Sequence, residues 1–299
     1  MVQKNNLLIT GASGFTGRHA VSHFLKSGFA VTALLRHKSL TLKGVQMEWC
    51  DLTKQEEVVN LIKKIKPDYL LHLAGQNHVG NSWVDPIQSL EANAMATAYL
   101  LHALRQANPS CKVVVAGSAL QFDPHRISTL HHPYSLSKTI QTQIAQAWAA
   151  LYELPIVIAR PSNLIGPGPS TGVCSVIAQK IVNMEHKRET YVLDVNNLSV
   201  CRDFLDVRDA VRAYETLLLK GISGHIYDIC SGENRSLAEV LNVYKCISSV
   251  NFSIRQEDNK QVEPPKETKP VQIMDLGWKP IIPFNESLID ILTYFREDM

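Results

Sequence analysis

The amino-terminal segment places the strongest constraint on what this chain can fold into. The apolar run "NLLIT" at 6–10 leads into "GASGFTG", and an amphipathic helix pattern follows at once. Glycines in such a strand–turn–helix unit let the backbone turn sharply, approach a pyrophosphate closely and direct free N–H groups at the phosphates. A glycine triplet considered alone is equally consistent with an ordinary turn, but its position after the first strand predicts a dinucleotide site. The predicted contacts are Gly11, Gly14, Phe15, Thr16 and Gly17.

The remainder of the chain alternates short β-branched runs with amphipathic stretches, which is the pattern of an α/β doubly wound parallel sheet. Strands are predicted at 6–10, 30–35, 45–49, 69–74, 112–117 and 155–160. After about residue 165 the spacing becomes irregular, with helices predicted near 174–187 and 286–297. We expect a Rossmann domain over 1–165, to which later elements around 195–230 return, and a smaller interleaved substrate lobe over 166–299.

Composition limits the kinds of partner. The chain has 299 residues, is 45% hydrophobic and 19% charged, and carries a formal net charge of +2. This charge is small and scattered, which argues against a nucleic-acid or anionic-membrane surface and favours a small ligand. No apolar run reaches the ~18 residues of a membrane span, and the start "MVQKNNLLIT" lacks the features of a signal peptide, so we expect a cytoplasmic protein. The six cysteines show no CxxC spacing, and we expect reduced thiols and no metal site.

The end of the second strand, "LLRHK", bears on the choice of cofactor. A chain that prefers NAD usually places an acid here for the ribose 2′-hydroxyl. Arg36, helped by Lys38, would instead neutralise a 2′-phosphate, so the segment favours NADP, with NAD still possible. A solvated arginine at a strand end is the alternative.

The end of the third strand, "WCDLT", offers a second cofactor contact. Asp51 is placed to accept a hydrogen bond from the adenine amino group, and Leu52 to cover the ring. Asp51 is also a candidate N-cap for the helix that follows.

The stretch "PYSLSK" places Tyr134 and Lys138 four residues apart at the start of a long helix pattern. Residues i and i+4 share a helix face, so both side chains are able to point into one cleft. A phenol has a pKa near ~10, and a nearby cation favours the phenolate. We therefore expect Lys138 to lower the pKa of Tyr134, which would act as an acid–base group, while Lys138 also holds the nicotinamide ribose. An exposed helix start is the alternative.

Several motifs together resemble the extended short-chain dehydrogenase/reductase family, which acts mostly on nucleotide sugars. They are "TGASGFTG", "HLAGQ", "GSALQF", "YSLSK", "ARPSNLIGPG", "CRDFLDVRDAVRAY" and "LGWKPIIPFNESL", and they cover nearly the whole chain. The resemblance implies Ser118 as the third catalytic residue beside Tyr134 and Lys138. It also implies cofactor contacts at Ala74 and Gly75, and a homodimer formed through two helices of each subunit.

The residues after Ser118 bear on the reaction. In the 4,6-dehydratases of this family, acids follow the corresponding Ser or Thr directly. Here Ala119, Leu120 and Gln121 follow, and none of them is an acid or a base. The resemblance therefore implies a reductase or an epimerase. The finer match, in "AGQNHVGNSWVDPIQSLEANAMAT" and "RPSNLIGPGPSTG", is to reductases of GDP-linked 4-keto-6-deoxy sugars.

The same resemblance implies three substrate-binding residues. Asn163 would reach the phosphate or sugar, Arg202 would grip the diphosphate, and Lys180 would add charge near the nucleotide. Each has a structural alternative: Asn163 as a turn former, Arg202 paired with Asp203 or Asp206, and Lys180 simply solvated.

Two segments depart from the family pattern. Where the family tends to carry an arginine before a proline, the chain reads "EDNKQVEPPKE", with Lys260 and Glu263, which leaves the nucleotide's identity open. The loop "DPHRISTLHH" contains His131 and His132, which we interpret as loop histidines because no third metal ligand is nearby. The alternatives for the whole chain are a 4-epimerase with tightly bound NAD and a non-catalytic dinucleotide sensor. An intact set of Ser118, Tyr134 and Lys138 argues against the sensor.

Overall fold

The structure is a computed structural model, and it describes residues 5–37, 44–256 and 267–298. The described residues form two compact units. Unit 1 consists of those up to Pro161 together with Val211–Asp228 and Gln272–Trp278. Unit 2 consists of Ser162–Ala210, the described residues of 229–271, and those from Lys279 onward.

The strands and helices are as follows. The strands are β1 (Asn6–Thr10), β2 (Ala30–Leu35), β3 (Gln46–Trp49), β4 (Tyr69–His72), β5 (Lys112–Ala116), β6 (Ile156–Pro161), β7 (Asn163–Ile165), β8 (Val192–Val195), β9 (Cys201–Asp206), β10 (Ile226–Ile229), β11 (Asn234–Ser236) and β12 (Ser253–Gln256). The helices are α1 (Phe15–Lys26), α2 (Gln55–Ile65), α3 (Val79–Val84), α4 (Pro86–Leu90), α5 (Ala96–Ala107), α6 (Pro133–Tyr152), α7 (Val173–Glu185), α8 (Val207–Lys220), α9 (Leu237–Ile247), α10 (Val271–Met274) and α11 (Phe284–Glu297). A π-helical turn, Glu91–Met95, leads into α5, and a 3-10 turn spans Ile127–Thr129.

Unit 1 is built on a seven-stranded parallel sheet in the order β10-β6-β5-β4-β1-β2-β3. This arrangement confirms the predicted doubly wound α/β fold. The strand order reverses between β1 and β4, and in such sheets ligands bind beyond the carboxyl ends of the strands at this point. The glycine turn after β1 and the turn after β4 both lie there.

The core of unit 1 explains why its strands are almost uniformly apolar. Leu8, Leu70, Val113 and Ile158 on the sheet are buried in one cluster that also includes Leu100 on α5. Strands of a parallel sheet are covered on both faces, so they read as continuous Val, Ile and Leu runs rather than as alternation. Each such side chain contributes about 1.5–3 kcal/mol through burial.

Unit 2 contains two small sheets, β11-β9-β7 and β12-β8, beside three helices. The apolar faces of α7, α9 and α11 meet in a second core, which includes Ile181, Leu241 and Ile291. Ser236 and Glu239 form a reciprocal capping box at the start of α9. Among the described helices, none combines the length and the apolar character that a membrane span requires.

The two units divide the chain differently from the expected domains. Unit 1 first ends at Pro161 rather than at residue 165, and the residues from 195 to 210 belong to unit 2. The reason is that β9 pairs with β7 and β11, so its hydrogen bonds lie within unit 2. A further segment of unit 1, Gln272–Trp278, was not anticipated from the sequence.

Candidate active site

The glycine turn after β1 requires glycine for two separate reasons. Gly11 has a φ of +68°, and a Cβ there would lie 2.7 Å from the backbone nitrogen of Ala74. A Cβ on Gly17 would lie 2.1 Å from the carbonyl oxygen of Gly11. The turn is therefore pressed against both the β4 turn and its own helix, as a dinucleotide turn requires.

The amino end of α1 fits a phosphate group. The helix starts after Gly14, its first turn carries no acid, and among the described residues no side chain caps it. The first N–H groups of a helix have no partner within it and carry the positive end of the helix dipole. A pyrophosphate would satisfy both requirements, so the residues present fit a dinucleotide. Phe15 and Thr16, in this first turn, are partly exposed.

The turn after β4 is held by a buried hydrogen-bond chain that the sequence did not suggest. Thr10 Oγ1 accepts from the backbone N–H groups of Leu73 and Ala74, at 3.1 Å each. It therefore donates its own proton to His72 Nδ1 at 2.8 Å, and His72 Nε2 lies 2.9 Å from Thr97 Oγ1. Burial, assisted by the charge of Lys138, lowers the pKa of His72 to about 3. This histidine is thus a neutral structural bridge from the sheet to α5.

Asn93, in the π-helical turn, is a second residue that sequence reasoning missed. Its amide accepts from Gln76 N at 2.8 Å, donates to Gln76 O at 3.0 Å and donates to Ser137 Oγ at 2.8 Å. A Cβ on Gly75 would lie 2.4 Å from Asn93 Oδ1, so a larger residue there would displace the Asn93 amide from its hydrogen bonds. Asn93 joins the β4 turn to the helix that carries Tyr134. Asparagine is disfavoured in a helix interior, and its presence within this helix pattern was the sequence signal that could have identified Asn93.

The two residues predicted to contact the adenosine end lie close together. Arg36 Nη2 is 3.6 Å from Asp51 Oδ2, and the Arg36 side chain is 61% exposed. Burial raises the pKa of Asp51, but hydrogen bonds from Thr53 and the charge of Arg36 outweigh it, and the pKa is lowered.

The alternative reading of Asp51 as a helix N-cap is wrong. Helix α2 begins at Gln55 with Lys54 at its N-cap position, while Asp51 Oδ1 accepts from the backbone and hydroxyl of Thr53. Leu52 packs against the core of unit 1. Lys38 lies outside the described residues.

Ser118, Tyr134 and Lys138 come together at the carboxyl end of β5 and the first turns of α6. Their exposed fractions are 7%, 6% and 7%. The Ser118 hydroxyl lies close enough to the Tyr134 phenol to favour the phenolate, and its Oγ accepts from the backbone N–H of Leu120 at 3.1 Å. Lys138 Nζ donates to the carbonyl oxygen of Ala116, the last residue of β5, at 2.6 Å. The carboxyl end of β5 thus brings a hydroxyl to the phenol and holds the amine through the carbonyl two residues before Ser118.

The expected effect of Lys138 on Tyr134 is wrong in direction. Burial raises the pKa of Tyr134, with the neighbouring Ser118 hydroxyl acting in the opposite direction. Burial also lowers the pKa of Lys138 to about 7. Desolvation disfavours both charged forms and outweighs the attraction that the spacing suggested. Tyr134 is thus a neutral phenol, suited to donating a proton.

The segment after Ser118 is anchored to α6. Gln121 Nε2 donates to the carbonyl oxygen of Lys138 at 3.2 Å and to Thr142 Oγ1 at 2.5 Å. Phe122 N donates to Thr139 Oγ1 at 3.2 Å. Gln121 therefore faces the helix, and the side chains between it and Ser118 are those of Ala119 and Leu120, which have no acid–base function.

In unit 2, Asn163 and Arg202 lie on the neighbouring strands β7 and β9. Asn163 Nδ2 donates to the carbonyl oxygen of Asp203 at 3.0 Å, and Arg202 Nη1 to that of Cys201 at 2.9 Å. The carboxylate of Asp203 accepts from the backbone N–H groups of 231–233 and from the Ser231 hydroxyl.

The carboxylate of Asp206 accepts hydrogen bonds from the Arg208 guanidinium and from the Ser287 hydroxyl. The two acids proposed as alternative partners of Arg202 thus have other strong partners.

Lys180 lies on α7, half-exposed, on the same face as two apolar residues. Val173 and Val176 are 44% and 41% exposed, and the three positions follow the i, i+3, i+7 spacing of one helix face. A cleft of about 420 Å³ elsewhere in unit 2 is lined by residues such as Phe204, Arg235 and Phe284. Its described lining does not include Asn163, Lys180 or Arg202. Lys260 and Glu263 lie outside the described residues.

Three comparisons with known proteins bear on this site. The family model described as "NAD dependent epimerase/dehydratase family" matches residues 7–230. The chain is 30% identical to GDP-6-deoxy-D-mannose reductase of Pseudomonas aeruginosa, over 96% of each chain. It is 26% identical to dTDP-D-glucose 4,6-dehydratase of Bos taurus, over 98% of this chain and 89% of the relative.

A solved structure, RMD from Pseudomonas aeruginosa complexed with NADPH, superimposes with a TM-score of 0.86. The two are 27% identical, and the match covers 99% of this chain and 100% of the other.

Proposed function

Because this chain belongs to the NAD dependent epimerase/dehydratase family, we propose that it is an NADP-dependent 4-ketoreductase of a 4-keto-6-deoxy nucleotide sugar. The proposed reaction converts GDP-4-keto-6-deoxy-D-mannose to GDP-D-rhamnose. The observation that carries the proposal is the grouping of Ser118, Tyr134 and Lys138 without an acid after Ser118. Similarity to a GDP-6-deoxy-D-mannose reductase and to a structure with NADPH supports it.

The bound nicotinamide would supply a hydride to C4 of the sugar. Tyr134 donates the proton that the developing C4 alkoxide needs, and its raised pKa keeps the phenol protonated at neutral pH. Ser118 donates a hydrogen bond to the same oxygen. Lys138, when charged, stabilises the phenolate that remains after proton transfer and binds the nicotinamide ribose.

The remaining predicted residues have binding roles in this proposal. Arg36 neutralises the 2′-phosphate that distinguishes NADP, with Asp51 and Leu52 at the adenine. Arg202 binds the diphosphate of the sugar nucleotide, and Asn163 assists it. The exposed apolar face of α7, with Lys180 at its end, offers a surface for the base.

The proposal also includes a cytoplasmic homodimer. Exposed apolar side chains at the carboxyl end of α6 support the dimer, since Leu151 is 72% and Tyr152 41% exposed. Sedimentation of the purified protein tests this part separately.

The direct test is incubation with NADPH and a panel of 4-keto nucleotide sugars while the cofactor absorbance is recorded. We expect about one NADPH oxidised per GDP-4-keto-6-deoxy-D-mannose reduced. GDP-mannose with oxidised cofactor should give no 4-keto-6-deoxy product, because Ala119 and Leu120 cannot take the C5 proton. Dehydration of GDP-mannose, or interconversion of a substrate with no net use of cofactor, would contradict the proposal.

A further inference from the structure

His132 caps the helix that carries Tyr134. Helix α6 begins at Pro133, and the backbone N–H of Ser135 donates to His132 Nδ1 at 2.9 Å. Side-chain acceptors at this position are most often Ser, Thr, Asp or Asn, and replacing them destabilises the helix start. Histidine is therefore an unusual residue at this N-cap position, which directly precedes the first turn of α6.

The cap completes the hydrogen bonding around Tyr134. Pro133 has no N–H, the N–H of Tyr134 donates to Ser82 Oγ at 3.0 Å, and the N–H of Ser135 is shared between His132 Nδ1 at 2.9 Å and the His132 carbonyl oxygen at 3.0 Å. Ser82 is itself buried and donates to the carbonyl oxygen of Val79 at 2.7 Å. The His132 and Tyr134 rings are in contact, with centroids 5.9 Å apart. The backbone of Tyr134 is thus held from one side by α3 and from the other by His132.

This cap exists in only one protonation state. Nδ1 accepts a hydrogen bond through its lone pair, so the imidazole is neutral with its proton on Nε2. The imidazolium carries hydrogen on both nitrogens and cannot accept. It would also place a positive charge at the positive end of the helix dipole. Histidine is the side chain whose charge ordinarily changes between pH 5 and 8, whereas an asparagine cap does not titrate.

We propose that His132 is a positioning residue for Tyr134: as a neutral imidazole it helps to hold the first turn of α6, and its protonation removes one of the two acceptors of the Ser135 N–H, which loosens that turn and weakens the reaction below neutral pH. The catalytic part of this role rests on the proposed function. The helix cap itself does not, and it is testable without substrate.

Other ionisable groups lie on the segments next to this end of α6, and the experiment must separate them from His132. They are His78 and Asp85 at the two ends of α3, Asp123, Arg126 and His131 in the preceding loop, and Lys138 one turn into the helix. Burial brings the pKa of Lys138 to about 7, so it titrates in the same range. All of these groups are unchanged in a His132 variant, and a comparison of pH profiles therefore isolates His132.

The test uses three variants of the full chain. His132→Asn keeps a capping acceptor that does not titrate, His132→Ala removes the cap, and His131→Asn replaces the exposed neighbouring histidine as the matched control. For each, the ratio of kcat at pH 6 to kcat at pH 8 is measured. The Tm is measured without substrate over the same range.

We expect the ratio of kcat at pH 6 to kcat at pH 8 to be about fivefold lower in the wild-type protein and in His131→Asn than in His132→Asn. Between pH 8 and pH 6, their Tm should also fall by about 2–4 °C more than the Tm of His132→Asn. The reason is that the unfolded chain binds the His132 proton more readily than the capped helix does. His132→Ala should have a reduced kcat and Tm at pH 8 with little change in KM.

Identical pH dependence of the Tm in the wild-type protein and His132→Asn would overturn the capping role. If the Tm difference is found but the kcat ratios agree, the positioning role in catalysis is wrong. If no reductase activity is found in any variant, the proposed function fails, and the Tm series still decides the cap.

Discussion

Lys138 Nζ lies 2.6 Å from the carbonyl oxygen of Ala116, in a position where only 7% of the lysine is exposed. The carbonyl holds the amine in place but does not offset the loss of hydration, and burial lowers the pKa of Lys138 to about 7. Above this pH the free enzyme loses the ammonium.

We therefore expect kcat/KM for reduction to fall above about pH 7, approaching tenfold per pH unit. We assign this fall in kcat/KM to deprotonation of Lys138, because Tyr134 has a raised pKa and stays protonated in this range. Lys138→Met should have low activity, and its kcat/KM should not fall in this way above pH 7. A wild-type profile that is flat from pH 6.5 to 9.5 would contradict the assignment.

Tyr134→Phe should lower kcat by at least ~100-fold, because the ring still packs and only the proton donor is lost. NADPH affinity, measured by fluorescence titration, should be nearly unchanged. Tyr152→Phe, at the other end of α6, is the matched control and should keep its activity. If Tyr134→Phe retained half of the wild-type kcat, Tyr134 would not be the proton donor.

Arg36→Ser should weaken NADPH binding by about 1–3 kcal/mol, the range for a hydrogen bond to a charged group, and leave NADH binding almost unchanged. Isothermal titration with both nucleotides measures the difference. Lys64→Ser serves as the control, since Lys64 is an exposed cation paired with Glu48 in the same unit. Equal losses for the two nucleotides would show that Arg36 does not contact the 2′-phosphate.

Arg202→Ala should raise KM for the sugar nucleotide far more than it lowers kcat, as expected when diphosphate binding is equally strong in ground and transition states. Arg235 is its register partner on β11 and is paired with Glu233 and Glu239, so Arg235→Ala is the control. Steady-state kinetics on both variants decides the point. A fall in kcat at constant KM would place Arg202 in the chemistry instead.

Asp203→Asn should lower the free energy of unfolding by about 3 kcal/mol, because the new amide N–H would face backbone N–H donors of the 231–233 loop. Asp194→Asn makes the same chemical change at an exposed ion pair with Arg255 and should cost less than ~1 kcal/mol. Urea unfolding measures both. Similar losses in the two variants would mean that the Asp203 contacts contribute little.

The sheet was predictable because each of its strands is a local apolar run. "AVTALL" became β2 at Ala30–Leu35, and "NLLIT" became β1 at Asn6–Thr10. The glycine turn was predictable for the same reason, since Gly11 and Gly17 satisfy local steric demands. The irregular π-helical turn at Glu91–Met95 has no local pattern and depends on the tertiary contacts of Asn93.

The protonation states of the site residues and the identities of the helix-capping residues could not be predicted from the spacing of residues in the sequence. The Tyr134–Lys138 spacing indicated a shared face but not its burial, and burial decides the direction of both pKa shifts. His132 and Asp51 were interpreted from their neighbours in sequence. Whether either one caps a helix depends on where the backbone N–H groups of that helix point.

The position of β10 at the edge of the sheet has a consequence for synthesis of the chain. Its neighbour β6 carries the fully buried residues Ile156, Val157 and Ile158, yet β10 is translated only after the first segment of unit 2, Ser162–Ala210, has been made. At ordinary elongation rates the nascent chain presents β6 as an unpaired apolar edge for about 3 to 14 s. We therefore expect a product that stops before Ile226 to keep β6 as an unpaired apolar edge, which is a site for aggregation.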